Sequence, residues 1–256
     1  MANYYFLAAS LPPITLGEKP DLSFDELISR LDINLEKQDL QKTVVFRRWI
    51  DLNNIRFLYL EDAIDLRGNL SEKELDQALL LQEDLPEYVF DFLGRFESVQ
   101  EKLHVFPGLL AAYFREEIPL QTGFLRSYLE FERSWRLVLL GMKAKELGRD
   151  LSQELQFEDP KDPFVMDLLV QKDSMTYDPP PEFLTLKEKY LACGPDPFQQ
   201  FKEIAEWRFK QIEELATQPL FSIDWILSYM AQLFIAEQWH ELDREKGEII
   251  LEAFVG

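Results

Sequence analysis

The chain has 256 residues, 46% hydrophobic and 29% charged, a balance that suits a folded core and excludes wholesale disorder. Its 47 acidic side chains outnumber 27 basic ones for a net charge of −20, so the chain would repel nucleic acid and no nucleic-acid partner is expected. The single cysteine, Cys193, excludes an internal disulfide, and a cytoplasmic location is expected because Met1 to Tyr5 carries no basic secretion-signal region.

No apolar run reaches the roughly 20 residues that cross a bilayer. The most apolar stretch, Trp225 to Ala236, is broken by Gln232 and bounded by Asp224 and Glu237. The acidic excess has two readings: a solvated surface that keeps the protein soluble, or complementarity to a basic partner.

Tyr4-Tyr5-Phe6-Leu7 is expected as a short isolated strand, and the rest of the chain as helix. Ser23…Glu26 and Ser71…Glu74 are capping boxes, in which the serine oxygen takes an orphan amide and the glutamate reaches back to the N-cap amide. Between them, residues 36 to 65 place Leu40, Val44, Val45, Trp49, Leu52 and Ile55 at mostly three- and four-residue intervals, one stripe of a long helix. Pro86 opens a segment with Tyr88, Val89, Phe92 and Phe96 on a recurring face. Pro107-Gly108 is expected to interrupt the chain.

A second long helix is expected from Thr122 to Leu147, closed by Gly148 in the position that favours glycine. The proline and acid clusters Asp159 to Pro163 and Tyr177 to Pro181 read as a linker region around the apolar segment Phe164 to Val170. Helices are expected again over 182–192, 197–216 and 223–244, with a short amphipathic end at Gly247 to Phe254. Period-two alternation bounded by hairpin turns is absent, so the fold class is all-α.

An internal echo organises these elements. Asn54-Ile55-Arg56 precedes Gly68, and Ser134-Trp135-Arg136 precedes Gly148, an offset of 80 for both arginines and glycines. A Leu-Ser restart follows each glycine, at Leu70-Ser71 and Leu151-Ser152. Stacked helical units each hide the half-covered apolar face of the next. Three are expected: residues 1–105, 106–175 with the linker, and 176–256, the last without the arginine of the others.

The arginine-bearing helix, glycine stop and Leu-Ser restart resemble the repeated unit of the C subunit of V-type ATPases, called d in eukaryotic enzymes. The stretch Phe221 to Tyr229, followed by Glu237 and Gly247-Glu248-Ile249-Ile250, is similar to that family's last helix pair, and Asp196-Pro197-Phe198 with Glu203 and Glu206 is compatible with it. The opening Asn3-Tyr4-Tyr5-Phe6-Leu7-Ala8-Ala9-Ser10-Leu11-Pro12 is similar to the start of a bacterial family encoded among V-type ATPase subunits. The resemblance implies a funnel-like helical array that seats the rotating shaft on the membrane rotor ring. The partners would be shaft and ring subunits, the membrane would be met only through them, and no catalytic residue or cofactor would be needed.

The chemistry offered by the residues is sparse. Phosphate-cradling, dinucleotide and nucleophile-elbow motifs are missing, and Cys193 before Gly194-Pro195 reads as a packed thiol. One constellation points elsewhere: both histidines have glutamate three residues earlier, as Glu101/His104 and Glu237/His240. Two such pairs plus a glutamate from each of two other helices form a ferritin-like di-iron site, with Glu61 and either Glu130 or Glu132 available in chain order. A di-iron oxidoreductase or iron-binding bundle is therefore the alternative to the non-catalytic stalk component, and a generic helical adaptor is the third reading.

Overall fold

The computed structural model describes residues 4–217 and 219–255, with side chains through residue 242. Among them the fold is all-α, with no strand. The helices are α1 (Tyr5–Ala9), α2 (Phe24–Asn34), α3 (Lys37–Leu60), α4 (Glu72–Leu81), α5 (Glu87–Leu93), α6 (Val99–His104) and α7 (Phe106–Glu117). They continue as α8 (Gly123–Glu146), α9 (Leu151–Glu154), α10 (Pro163–Val170), α11 (Leu184–Ala192), α12 (Pro197–Leu215) and α13 (Ile223–Val255), with single 3₁₀ turns at Ile118–Leu120 and Pro181–Phe183. No helix of the described residues is long and apolar enough to cross a membrane.

Packing groups the chain into two compact units. One comprises Met1–Leu40, Gly123–Tyr128 and Glu182–Gly256, the other Gln41–Thr122 and Leu129–Pro181. This grouping follows packing, whereas the three-part division at 105 and 175 follows sequence, and the two do not coincide.

In the first unit, α13 buries Ile226, Leu227, Met230, Leu233 and Phe234, and α2 buries Phe24, Leu27 and Leu31. Phe24 meets the Phe234 ring edge-on at 6.0 Å between centroids. The expected strand at Tyr4 to Leu7 is instead α1. A lone strand would leave its ladder groups unpaired, while the helix buries Leu7 and Ala8 and lets the Tyr4 amide donate to the Phe221 carbonyl at 2.8 Å. The terminal segment expected at Gly247 to Phe254 is continuous in backbone with α13.

In the second unit, Ser71 caps α4 with a full capping box, as Ser23 does for α2 in the first. A third box, Ser98 with Glu101, starts α6. Pro107-Gly108 does not interrupt the chain but lies in the first turn of α7, where proline's missing donor costs nothing. A Cβ on Gly108 would sit 2.8 Å from both the Phe157 and Phe92 rings. The expected linker is also partly packed: the Asp162 carboxylate caps α10 by accepting the Phe164 amide at 2.8 Å, and Val165, Leu168 and Tyr177 are buried.

The two long helices are both 24 residues, but the echo does not set their register. α3 stops at Leu60 because Glu61 turns left-handed at φ 58° and Asp62 N–H reaches back to the Phe57 carbonyl at 3.0 Å. α8 stops through the same turn, with Gly148 at φ 63° and Arg149 N–H donating to the Ala144 carbonyl at 2.7 Å. The structural counterpart of Gly148 is thus Glu61, an offset of 87 rather than 80. Gly68 lies eight residues past its helix, and Arg56 is exposed where Arg136 is half-buried. The second restart differs too: Asp150 caps α9, and Ser152 sits inside it.

Gly68 belongs to a segment that folds back onto α3. Arg47, Asp51 and Asn54 share one helix face at i, i+4 and i+7. The Asp51 carboxylate, 2% exposed, accepts the Asn69 and Leu70 amides at 2.6 and 3.2 Å and the Asn69 side-chain amide at 2.6 Å. Asn54 brackets Asp65, donating to its carbonyl and accepting its amide, both at 2.8 Å. Arg47 donates to the carbonyls of Arg67 and Gly68. Burial pushes the Asp51 carboxyl above its ordinary value, against the pull of these donors and of Arg47.

Candidate functional site

A concavity within one unit lies between α7, α8 and the chain after α9. Helical spacing on α7 brings Leu110, Ala111 and Phe114 to one face, and on α8 it does the same for Arg133, Arg136, Leu137 and Leu140. Trp49 from α3 and Phe157 after α9 complete the apolar wall of a cavity of about 190 Å³. A second cavity of about 220 Å³ shares Ala111, Phe114, Arg133, Phe157 and Glu158 with the first, and extends past Arg115 to Asp159 and Asp162.

Aromatic packing fixes the wall. Trp49 lies 5.2 Å from Phe114 and 5.7 Å from Tyr113, and the Tyr113 hydroxyl donates to the Val45 carbonyl at 3.0 Å. The Arg136 guanidinium stacks 4.0 Å above Trp49 and 4.8 Å from the Trp135 ring, a cation–π arrangement that holds a long side chain flat. Its Nη2 donates to Glu132 at 3.3 Å, and Glu132 also accepts the Trp135 indole N–H at 3.0 Å.

Arg133 ties the chain after α9 to α8. It donates through Nε and Nη2 to Glu158 at 3.2 and 2.7 Å and through Nη1 to Asp162 at 3.0 Å. Burial works to lower its pKa, but the bonds and charges of Glu158 and then Asp162 outweigh it, so the guanidinium is held above its ordinary value. Behind the groove, buried Glu117 accepts from Arg48 and from the Tyr88 hydroxyl, whose pKa is pushed up by burial first and by the Glu117 charge second. The lining holds no serine, cysteine, histidine or lysine, and its carboxylates at Glu158 and Asp162 are engaged with Arg133. What it offers is shape and charge.

The residues weighed for iron fall elsewhere. Glu101 closes the capping box of α6 by accepting the Ser98 amide at 3.1 Å, and His104 is exposed at the last position of that helix. Glu237 accepts the Phe24 amide at 2.6 Å, Glu61 forms the left-handed end of α3, Glu130 is exposed, and Glu132 serves Arg136 and Trp135. Among the described residues no three His, Cys, Asp or Glu side chains are placed to hold a metal ion. The Cys193 thiol donates to the Lys189 carbonyl at 3.1 Å, and burial, then the Glu203 and Asp196 charges, push its pKa up, away from thiolate chemistry.

Sequence reasoning named Arg136, Glu132 and Trp49 but did not bring them together, and it passed over Arg133. The available cue was the i, i+3 pair Arg133/Arg136 on a helix already read as amphipathic.

The family model described as "Protein of unknown function (DUF2764)" matches residues 1–256. The chain belongs to this family. It is 30% identical over 257 residues to a protein of Chlamydia muridarum and to one of Chlamydia trachomatis serovar D, each described as an uncharacterized protein. A Chlamydia pneumoniae protein is 29% identical. In all three the alignment covers 98% of this chain and 97% of the relative. No solved structure matches the chain.

Proposed function

We propose that the protein is a non-catalytic central-stalk component of a V-type ATPase, coupling the rotating shaft to the membrane rotor ring. It would be cytoplasmic and peripheral to the membrane through its complex, with ATP hydrolysis and proton passage left to other subunits. The observation that carries the docking half of this reading is the state of the groove's ionisable groups. Arg133 is bonded to Glu158 and Asp162 of the chain after α9, and Arg136 to Glu132 one turn back on α8, which rigidifies the surface and engages these charges with one another. A part that transmits torque needs such rigidity and a matched face. The ATPase half rests on the likeness of Phe221 to Tyr229 to the last helix pair of the C subunit, and of the ten residues from Asn3 to Pro12 to a bacterial family encoded among V-type ATPase subunits.

The test is purification of tagged full-length protein from its native membranes. Shaft or ring subunits should accompany it in fixed proportion. A monomer that carries iron and turns over a substrate would overturn the reading in favour of the di-iron alternative.

A further inference from the structure

The groove also carries information about what fills it. Its two cavities share five lining residues and so form two compartments of one groove. At about 190 and 220 Å³ each has room for one large side chain. Pro107 and Asp159, on its border, are exposed. A surface groove suits a length of chain lying across it more than an enclosed small molecule.

Charge decides the kind of chain. Three arginines line the groove, Arg115, Arg133 and Arg136; against them stand the lining acids Glu154, Glu158, Asp159 and Asp162 and the acids Glu116 and Glu132 bonded to those arginines. Each arginine already faces a carboxylate: Arg115 meets Glu116 at 3.1 Å, Arg133 meets Glu158 and Asp162, and Arg136 meets Glu132. An incoming anion would compete with these acids. An incoming cation would compete with Arg133 at Glu158 and Asp162, but the carboxylate of exposed Asp159 between them is bonded to the Lys161 amide and not to an arginine. The lining acids outnumber the arginines four to three, and the chain's net charge is −20.

We propose that the groove takes a segment of a partner protein in which one or two apolar side chains are flanked by lysine or arginine. The apolar groups would enter against Leu110, Phe114 and Phe157, and the cation would reach the Glu158 to Asp162 end. The inference deepens the docking reading above and rests on it.

Three labelled twelve-residue peptides test it on the full chain by fluorescence anisotropy at physiological salt. Each carries a central Leu-Phe, flanked by lysines, glutamines or glutamates. The lysine peptide should bind best, at least tenfold tighter than the glutamate peptide. Because so acidic a chain attracts any cation, Leu110→Glu in the groove wall is the decisive variant. Groove binding predicts at least a tenfold loss although the chain becomes more acidic. Unchanged or tighter binding means general attraction and overturns the proposal. Asp159→Lys, on the surface, where the carboxylate accepts only the exposed Lys161 amide, should narrow or invert the preference for lysine over glutamate; an unaltered preference also overturns it. Co-purification separates the two readings. If Leu110→Glu stays with ATPase subunits as the unaltered chain does, the groove is wrong and the stalk reading survives. If it abolishes peptide binding in a chain that no ATPase subunit accompanies, the groove survives and the stalk reading fails.

Discussion

The two 24-residue helices, α3 and α8, stop in the same left-handed turn, and the chain beyond each is handled in opposite ways. After α3 the chain folds back until backbone amides and carbonyls touch Arg47, Asp51 and Asn54, and a Cβ on Gly68 would lie 2.6 Å from Asp51 Oδ1. After α8, nothing lies within 4 Å of a Cβ on Gly148, and the chain is tied back by the side-chain ion pairs of Arg133. Where side chains of α3 hold the returning backbone directly, there is no room for a Cβ at Gly68, whereas the side-chain-to-side-chain ties of Arg133 border a groove. One helix-stop device thus precedes a close-packed joint in one place and an open groove in the other.

The close-packed joint should be the more fragile to substitution. Asp51→Ala leaves two backbone amides and the Asn69 side-chain amide without their buried acceptor and should cost about 3 kcal/mol in urea unfolding. Gly68→Ala should cost about 2 kcal/mol through overpacking against Asp51 and Asn54. A loss below half a kcal/mol in both would mean the joint is not closed. Arg133→Ala, which strands the mostly buried Glu158, should cost about 1–2 kcal/mol, discounted because Asp162 keeps 28% exposure. Gly148→Ala should cost only about 1 kcal/mol, from strain at φ 63° with no collision. Equal costs at Gly68 and Gly148 would erase the contrast.

A smaller effect concerns pH. Because burial lifts Asp51 above its unfolded value, folding favours its protonated form. That contribution is fully present below the unfolded pKa and is lost as pH rises through the folded one. The stability of Asp51→Asn relative to the unaltered chain should therefore improve as pH rises through that window. A gap constant across the window would count against the buried, lifted carboxyl.

Local signals were legible and pairings across the chain were not. The boxes at Ser23 and Ser71 announce α2 and α4 within four residues, and Gly148 announces the end of α8. The end of α3 is hidden because Glu61, with no glycine cue, adopts the left-handed turn, so the helix read as running to 65 and Gly68 read as its stop. Ser98 has the same box signature as Ser71, but its glutamate also stands three residues before His104, where it reads equally as half of an alternative iron pair. Asp162 was absorbed into a proline and acid cluster, although an Asp-Pro start is also how α12 begins. The groove itself was out of reach. Arg133 meets Glu158 and Asp162 across 25 and 29 residues, through turns whose direction no local pattern fixes.

Native mass spectrometry of the V-type ATPase isolated gently from the organism's own membranes bears most directly on the proposed stalk role. The account predicts that this 30.2 kDa chain is carried in the intact assembly and is shed together with shaft or ring subunits. An intact, proton-pumping assembly without it, beside a free monomeric pool, would contradict the account.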